Sequence, residues 1–120
     1  MLLTEFEVQQ AIAQAKAAFP HLTEWEYRNA TNGEYCGFSL WGQFVLNPAD
    51  QMPQRFFITL DTYKEHWYGH LTIGQHCYLW SSADVGDAHL VDTESCNTLE
   101  EAIAALKMKI AKLCQALSVS

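Results

Sequence analysis

The fold is decided by the segment Arg55–Ser81, which reads RFFITLDTYKEHWYGHLTIGQHCYLWS. An antiparallel strand with one solvent-exposed face alternates apolar and polar residues, because successive side chains point to opposite faces of the sheet. One parity of this segment supplies the apolar set Phe56, Ile58 and Leu60. Large rings also occupy the other parity, at Phe57 and Tyr63. Rings left over once a core is filled indicate a second surface that is buried or contacted.

Similar strand-like runs lie on both sides of this segment and are separated by turn residues. The predicted strands are Glu24–Arg28, Tyr35–Leu46, Arg55–Tyr63, His66–Ile73, His76–Ser81 and Ala88–Asp92. Asn32-Gly33 is a strong hairpin signal, and Gly74-Gln75 is a second turn. Sequential strands with short connections usually pair as neighbours, so we expect an antiparallel meander of five or six strands.

Helices are predicted at both ends of the chain. Thr4 with Glu7, and Thr98 with Glu101, have capping-box spacing, and Pro20 ends the first helix. The predicted ranges are Thr4–Phe19 and Thr98–Leu117. The second helix carries an apolar stripe at Leu99, Ile103, Leu106, Ile110, Leu113 and Leu117. A stripe with this spacing suits a helix laid on a sheet or a coiled coil, and a single short segment favours the sheet.

Together these elements predict one α+β domain over residues 1–120. We expect a single antiparallel sheet flanked by an N-terminal helix and a longer C-terminal helix, both packed on one face. Truncation of either Leu106 or Ile110 to alanine would then cost about 2–5 kcal/mol of stability, through the cavity left behind.

Composition narrows the classes of function. The 120 residues carry 7 basic and 14 acidic side chains, for a formal charge of -7. Such a chain repels phosphate backbones unless its cations cluster, so nucleic-acid binding is not expected. The sequence has no signal peptide, membrane span or disulfide-like cysteine spacing, which predicts a cytoplasmic protein with reduced thiols.

The sequence contains no pattern that predicts a catalytic site or a metal site. His66, His70 and His76 are close in the chain, but they do not converge on one face in the expected register, so neither a metal nor a cofactor is predicted. Cys77 is interpreted as a core residue. Cys96 lies where a helix N-terminus could activate a thiol, but Glu94, Glu100 and Glu101 crowd that end and would oppose a thiolate. The loop from Ser81 to His89 has neither a nucleophile elbow nor EF-hand spacing.

The leftover rings are the feature that points to function. The candidate binding residues are Tyr35, Trp41, Phe57, Tyr63, His66, Tyr68 and His70. Tyrosine and tryptophan are favoured at interfaces, so this set indicates a docking face, with His66 and His70 at its rim. The alternative is a curved sheet or sandwich that buries both of its sides.

We therefore expect a non-enzymatic protein-binding domain that engages either a second copy of itself, as a homodimer, or a partner with a basic surface. In size, charge and element order the chain is similar to small bacterial secretion chaperones and phage-type inhibitor proteins, which implies an adaptor, chaperone-like or inhibitor role. The alternative is a small-molecule-binding or enzymatic domain with a pocket between the sheet and the C-terminal helix. An inhibitor that imitates nucleic acid would need spaced rows of carboxylates, which the sequence lacks.

Overall fold

A computed structural model of the chain describes residues 2–30, 37–46, 48–49, 54–74 and 88–118. The described elements, in chain order, are α1 (Glu5–Ala18), β1 (Thr23–Ala30), β2 (Gly37–Val45), β3 (Arg55–Tyr63), β4 (His66–Gly74), β5 (Ala88–Asp92) and α2 (Leu99–Leu117). The predicted strand His76–Ser81 and the predicted turn at Asn32-Gly33 lie outside the described residues.

The five strands form one antiparallel sheet in the order β1-β2-β3-β4-β5. The predicted α+β class and the meander order are therefore confirmed. Registers are continuous through β2, β3 and β4, and one row of directly paired residues crosses four strands: Trp41, Thr59, His70 and Asp92. Directly paired residues lie on the same face of a sheet, so this row fixes which side chains share a face.

The turn between β3 and β4 is tight and conformationally unusual. Tyr63 pairs with His66, which leaves Lys64 and Glu65 as the two turn residues. Their φ angles are 50° and 67°, the left-handed pair of angles that a type I′ hairpin turn requires. Asparagine and glycine adopt these angles most easily, so this turn carries local strain.

Side-chain caps explain where both helices begin. In α1 the Thr4 hydroxyl accepts from the Glu7 N–H, and the Glu7 carboxylate accepts from the Thr4 N–H, which confirms the predicted capping box. In α2 the Thr98 hydroxyl accepts from the Glu101 N–H at 3.1 Å, as predicted. The second hydrogen bond of the capping box differs from that in α1, because the Glu101 carboxylate accepts from the N–H of Asn97 and not from that of Thr98.

Both helices pack on the same face of the sheet, as predicted. The core contains Val8, Ala11, Ala15 and Phe19 from the α1 region, Leu99, Ala102 and Leu106 from α2, and Phe38, Leu40, Ile58, Leu60, Trp67, Leu71 and Val91 from the sheet. α2 crosses β4 closely at Gly69, where an added Cβ would lie only 3.2 Å from the Leu106 Cβ. Glycine at this position lets the helix approach the strand.

The C-terminal half of α2 contributes less to the core than the stripe predicts. Leu106 is fully buried, but every α2 residue after it is exposed or half-buried. Ile110 is half-buried and Leu117 is 72% exposed. A smaller cost is therefore expected for truncation of Ile110 than for truncation of Leu106, because helical periodicity gives the direction of a side chain but not how far the sheet extends beneath it.

Candidate functional site

The sheet has a second face, turned away from the helices. We call it the far face, and its residues include Glu26 and Arg28 in β1, Ser39, Trp41 and Gln43 in β2, Arg55, Phe57, Thr59, Asp61 and Tyr63 in β3, His66, Tyr68, His70 and Thr72 in β4, and Asp92 in β5. Six of the seven candidate binding residues lie on it: Trp41, Phe57, Tyr63, His66, Tyr68 and His70. The seventh, Tyr35, lies outside the described residues. No helix among the described residues packs on this face.

The aromatic and histidine rings of the far face differ widely in how exposed they are to solvent. Tyr63 and His66 are exposed, and Trp41 and Tyr68 are half-buried. Phe57 is only 6% exposed. His70 is 4% exposed, so its predicted position at the rim is wrong. Alternation identified the face correctly, but it could not show that this residue lies at the centre of the sheet between two flanking strands.

The centre of the far face is a buried polar cluster. Ser39, Thr59 and Asp61 are 0% exposed, and Thr72 is 1% exposed. Within this cluster the Nε2 atom of His70 lies 3.1 Å from the Asp61 Oδ1. The Nδ1 atom of His70 lies 2.7 Å from the Asp92 Oδ1. Because ionised carboxylates only accept hydrogen bonds, a ring that donates at both nitrogens is an imidazolium.

The electrostatics of this cluster favour a protonated histidine. Burial by itself would lower the pKa of His70, but the hydrogen bond and charge of Asp61, followed by those of Asp92, outweigh it and raise the pKa above the ordinary value. Burial raises the pKa of Asp61, which the hydrogen bond and charge of His70 offset only in part. His89 Nδ1 lies 3.3 Å from the Asp92 Oδ1, so a second histidine shares the outer carboxylate.

Several polar atoms near this cluster have no hydrogen-bond partner among the described residues. They are Thr59 Oγ1, Thr72 Oγ1, Asp61 Oδ2 and Arg55 Nε. A buried polar atom without a partner destabilises a fold by about 1–3 kcal/mol. His70 therefore stabilises the face by occupying the other oxygen of Asp61. Sequence reasoning missed Asp61, although a lone carboxylate within the apolar run of β3 was a usable signal.

A cleft of about 350 Å³ opens at the β1 end of the far face. Its lining residues are Glu24, Trp25, Glu26, Trp41, Gln43 and Phe57. Two of the predicted rings, Trp41 and Phe57, are thus brought together in a concave site. The two glutamates were not predicted as site residues, because the cleft depends on an irregularity of β1 that alternation does not reveal.

That irregularity is a β-bulge. Thr23 pairs with Gln43 and Glu26 pairs with Trp41, so two β1 residues lie opposite Gly42 alone. Glu24 has a φ of 55°, in the left-handed region. The ring of Trp25 lies against the main chain of Gly42, where an added Cβ would come within 2.7 Å of its atoms.

A second cleft, of about 300 Å³, lies between α1, Trp67 of β4 and the start of α2. Two of its polar side chains already serve the helix ends: Glu7 accepts from the Thr4 N–H, and the Thr98 hydroxyl accepts from the Glu101 N–H. Polar groups engaged in caps are poorly placed to converge on a ligand.

The thiol of Cys96 is not activated by its surroundings. The Cys96 Sγ donates to the Glu94 carbonyl oxygen at 3.4 Å. Burial, followed by the charge of Glu101, raises the pKa of Cys96, although Thr93 opposes this effect. The carboxylates at the start of α2 thus oppose any activation of this thiol by the helix N-terminus, as the sequence predicts. Cys77 lies outside the described residues, and no group of His, Cys, Asp or Glu within the described ranges could hold a metal ion.

Comparison with protein-family models, curated proteins and solved structures finds no match to this chain. No helix in the described part of the chain has both the length and the apolar character needed to cross a membrane.

Proposed function

We propose that this protein is a non-enzymatic binding domain that engages a basic surface of a partner protein through its far face. The observation that carries the proposal is that both helices pack on one side of the sheet, whereas on the other side Trp41 and Tyr68 are half-buried and Tyr63 is 42% exposed. Amphipathic rings on a face that no described helix covers are typical of an interface.

The far face suits a preorganised platform. Its strands pair without interruption from β2 to β4. Its centre is held by His70 between Asp61 and Asp92. A surface that is already fixed loses little conformational entropy on binding, which favours affinity. This support does not depend on any catalytic group, since both ring nitrogens of His70 are engaged by carboxylates.

Charge favours a basic partner over a second copy of the chain. The formal charge of -7 makes two copies repel each other, and it attracts cationic surfaces and speeds their association. Of the accessible rings, Tyr63 already has the Lys64 ammonium 5.4 Å from its centroid. Trp41 and Tyr68 pair directly with Thr59 and Asp61 at the centre of the far face, and we expect these two rings to contribute most, because central residues dominate the binding energy of interfaces. An adaptor, chaperone-like or inhibitor role in the cytoplasm fits this proposal, and the free thiols of Cys96 and Cys114 suit a reducing compartment.

The test compares the wild-type protein with the double variant Trp41→Ala/Tyr68→Ala. Proteins that the wild-type protein pulls down from a lysate of the source cell would be identified by mass spectrometry. Each would then be produced recombinantly and titrated against the wild type and the double variant. Light scattering would report self-association. Phe6→Ala is the matched control, because Phe6 is an aromatic residue of α1 that is 70% exposed and lies away from the far face.

The expected result is a direct, salt-sensitive interaction with a basic protein that the double variant loses and Phe6→Ala keeps. Circular dichroism should show that all three proteins are folded. If the folded double variant binds every partner as tightly as the wild type, the far face is not the binding surface.

A further inference from the structure

The cleft at the β1 end of the far face combines an aromatic wall with a carboxylate rim. Trp41 is half-buried and Phe57 is buried, so both rings are held in place by their surroundings. Glu24 and Glu26 are exposed. Glu26 pairs directly with Trp41 across the strands, and the Cβ atoms of such pairs lie about 4.5–5.5 Å apart. The side chains of Glu26 and Trp41 are therefore neighbours, and both line the cleft.

The rim of the cleft carries two carboxylates, those of Glu24 and Glu26. Within the described part of the chain, neither Glu24 nor Glu26 forms an ion pair. Gln43 adds an amide that can accept or donate a hydrogen bond. An aromatic face with carboxylates at its edge attracts a cation twice, through the ring quadrupole and through direct charge attraction.

We propose that this cleft binds an arginine side chain of the partner protein. The proposal rests on the proposed function and names the chemistry by which the far face recognises a basic surface. Arginine fits better than lysine because its planar guanidinium stacks on an aromatic ring while its N–H groups donate in the plane to carboxylates. The stacked group would lie against Trp41, and its N–H groups would reach Glu24 and Glu26 at the rim.

The test uses short peptides as probes, so it does not require the partner to be known. The peptide acetyl-Gly-Arg-Gly-amide would be titrated into the ¹⁵N-labelled protein while the tryptophan indole N–H signals are followed by NMR. The neutral isostere acetyl-Gly-citrulline-Gly-amide and the lysine peptide serve as ligand controls. The indole signal of Trp41, assigned from its loss in Trp41→Leu, should move and saturate with the arginine peptide.

Charge-removing variants separate the cleft from the general acidity of the protein. The double variant Glu24→Gln/Glu26→Gln should weaken binding of the arginine peptide about tenfold, equivalent to about 1.4 kcal/mol. Glu65→Gln, an exposed carboxylate in the β3–β4 turn, should change it less than twofold. Raising the salt concentration should weaken the wild-type interaction, because the rim charges are exposed to solvent.

Three outcomes would overturn the arginine cleft: binding of the citrulline peptide at equal strength, equal binding of the lysine peptide, or no loss in the double variant. Its failure is distinguishable from failure of the proposed function. If no peptide binds but Trp41→Ala/Tyr68→Ala still abolishes partner binding, the far face is the interface and the arginine assignment is wrong. If the arginine peptide binds but the ring substitutions leave partner binding unchanged, the cleft binds arginine and the proposed function of the far face is wrong.

Discussion

The pair formed by Asp61 and His70 should dominate the polar energetics of the sheet. In His70→Leu, the fully buried carboxyl of Asp61 loses its hydrogen bond and its compensating charge. Breaking a buried pair on one side costs about 3–5 kcal/mol. The contact with Asp92 adds at most about 1 kcal/mol, because the side chain of Asp92 is 47% exposed. A chain of 120 residues has a stability of roughly 6–18 kcal/mol, so the variant should remain folded.

The control is the matched double variant Asp61→Leu/His70→Leu. Replacing both members of a buried ion pair with apolar residues is often neutral or stabilising, because no unpaired charge remains. The double variant should therefore be more stable than His70→Leu alone, by about 2 kcal/mol or more. Urea unfolding at pH 6 followed by circular dichroism measures all of these free energies. Additive losses in the double variant would refute the buried pairing.

The same pair predicts how stability changes with pH. The folded state raises the pKa of His70, so its stabilising effect is complete below about pH 6.5, the unfolded value, and is lost as pH rises through the folded value. Asp61 acts in the same direction at lower pH, because its pKa is also raised in the folded state. Wild-type stability should fall from pH 6.5 upwards by up to about 1.4 kcal/mol per pH unit. An equal slope in His70→Leu would refute this assignment.

Two further predictions concern packing and turn strain. Leu106→Ala should lower the free energy of unfolding by about 2–5 kcal/mol, because the side chain is fully buried. Ile110→Ala should lower it by less than about 1.5 kcal/mol, because that side chain is half-buried. Equal shifts of the urea midpoint would contradict this difference in burial along α2. Combining Lys64→Asn with Glu65→Gly should stabilise the fold by about 1 kcal/mol, since both positions have positive φ; an unchanged midpoint would show that the turn stores no strain.

Local patterns in the sequence predicted the elements and the faces of the sheet. The capping threonines, Thr4 and Thr98, placed the start of both helices to the residue. Alternation in β2, β3 and β4, together with the assumption that sequential strands pair as neighbours, placed Trp41, Tyr63 and Tyr68 on a common face. These features depend on residues a few positions apart, which is why the linear sequence contains them.

Only the tertiary structure determined how deeply each side chain is buried and which side chains lie close together. His70 is buried because it lies in a row of paired residues that crosses four strands, and the same row brings Asp92 to its ring from a distant part of the chain. The cleft beside Trp41 exists because a bulge in β1 places an extra residue, Glu24, at the sheet edge. Strand pairing and bulges depend on contacts between segments far apart in sequence, so neither the buried pair nor the cleft could be read from spacing alone.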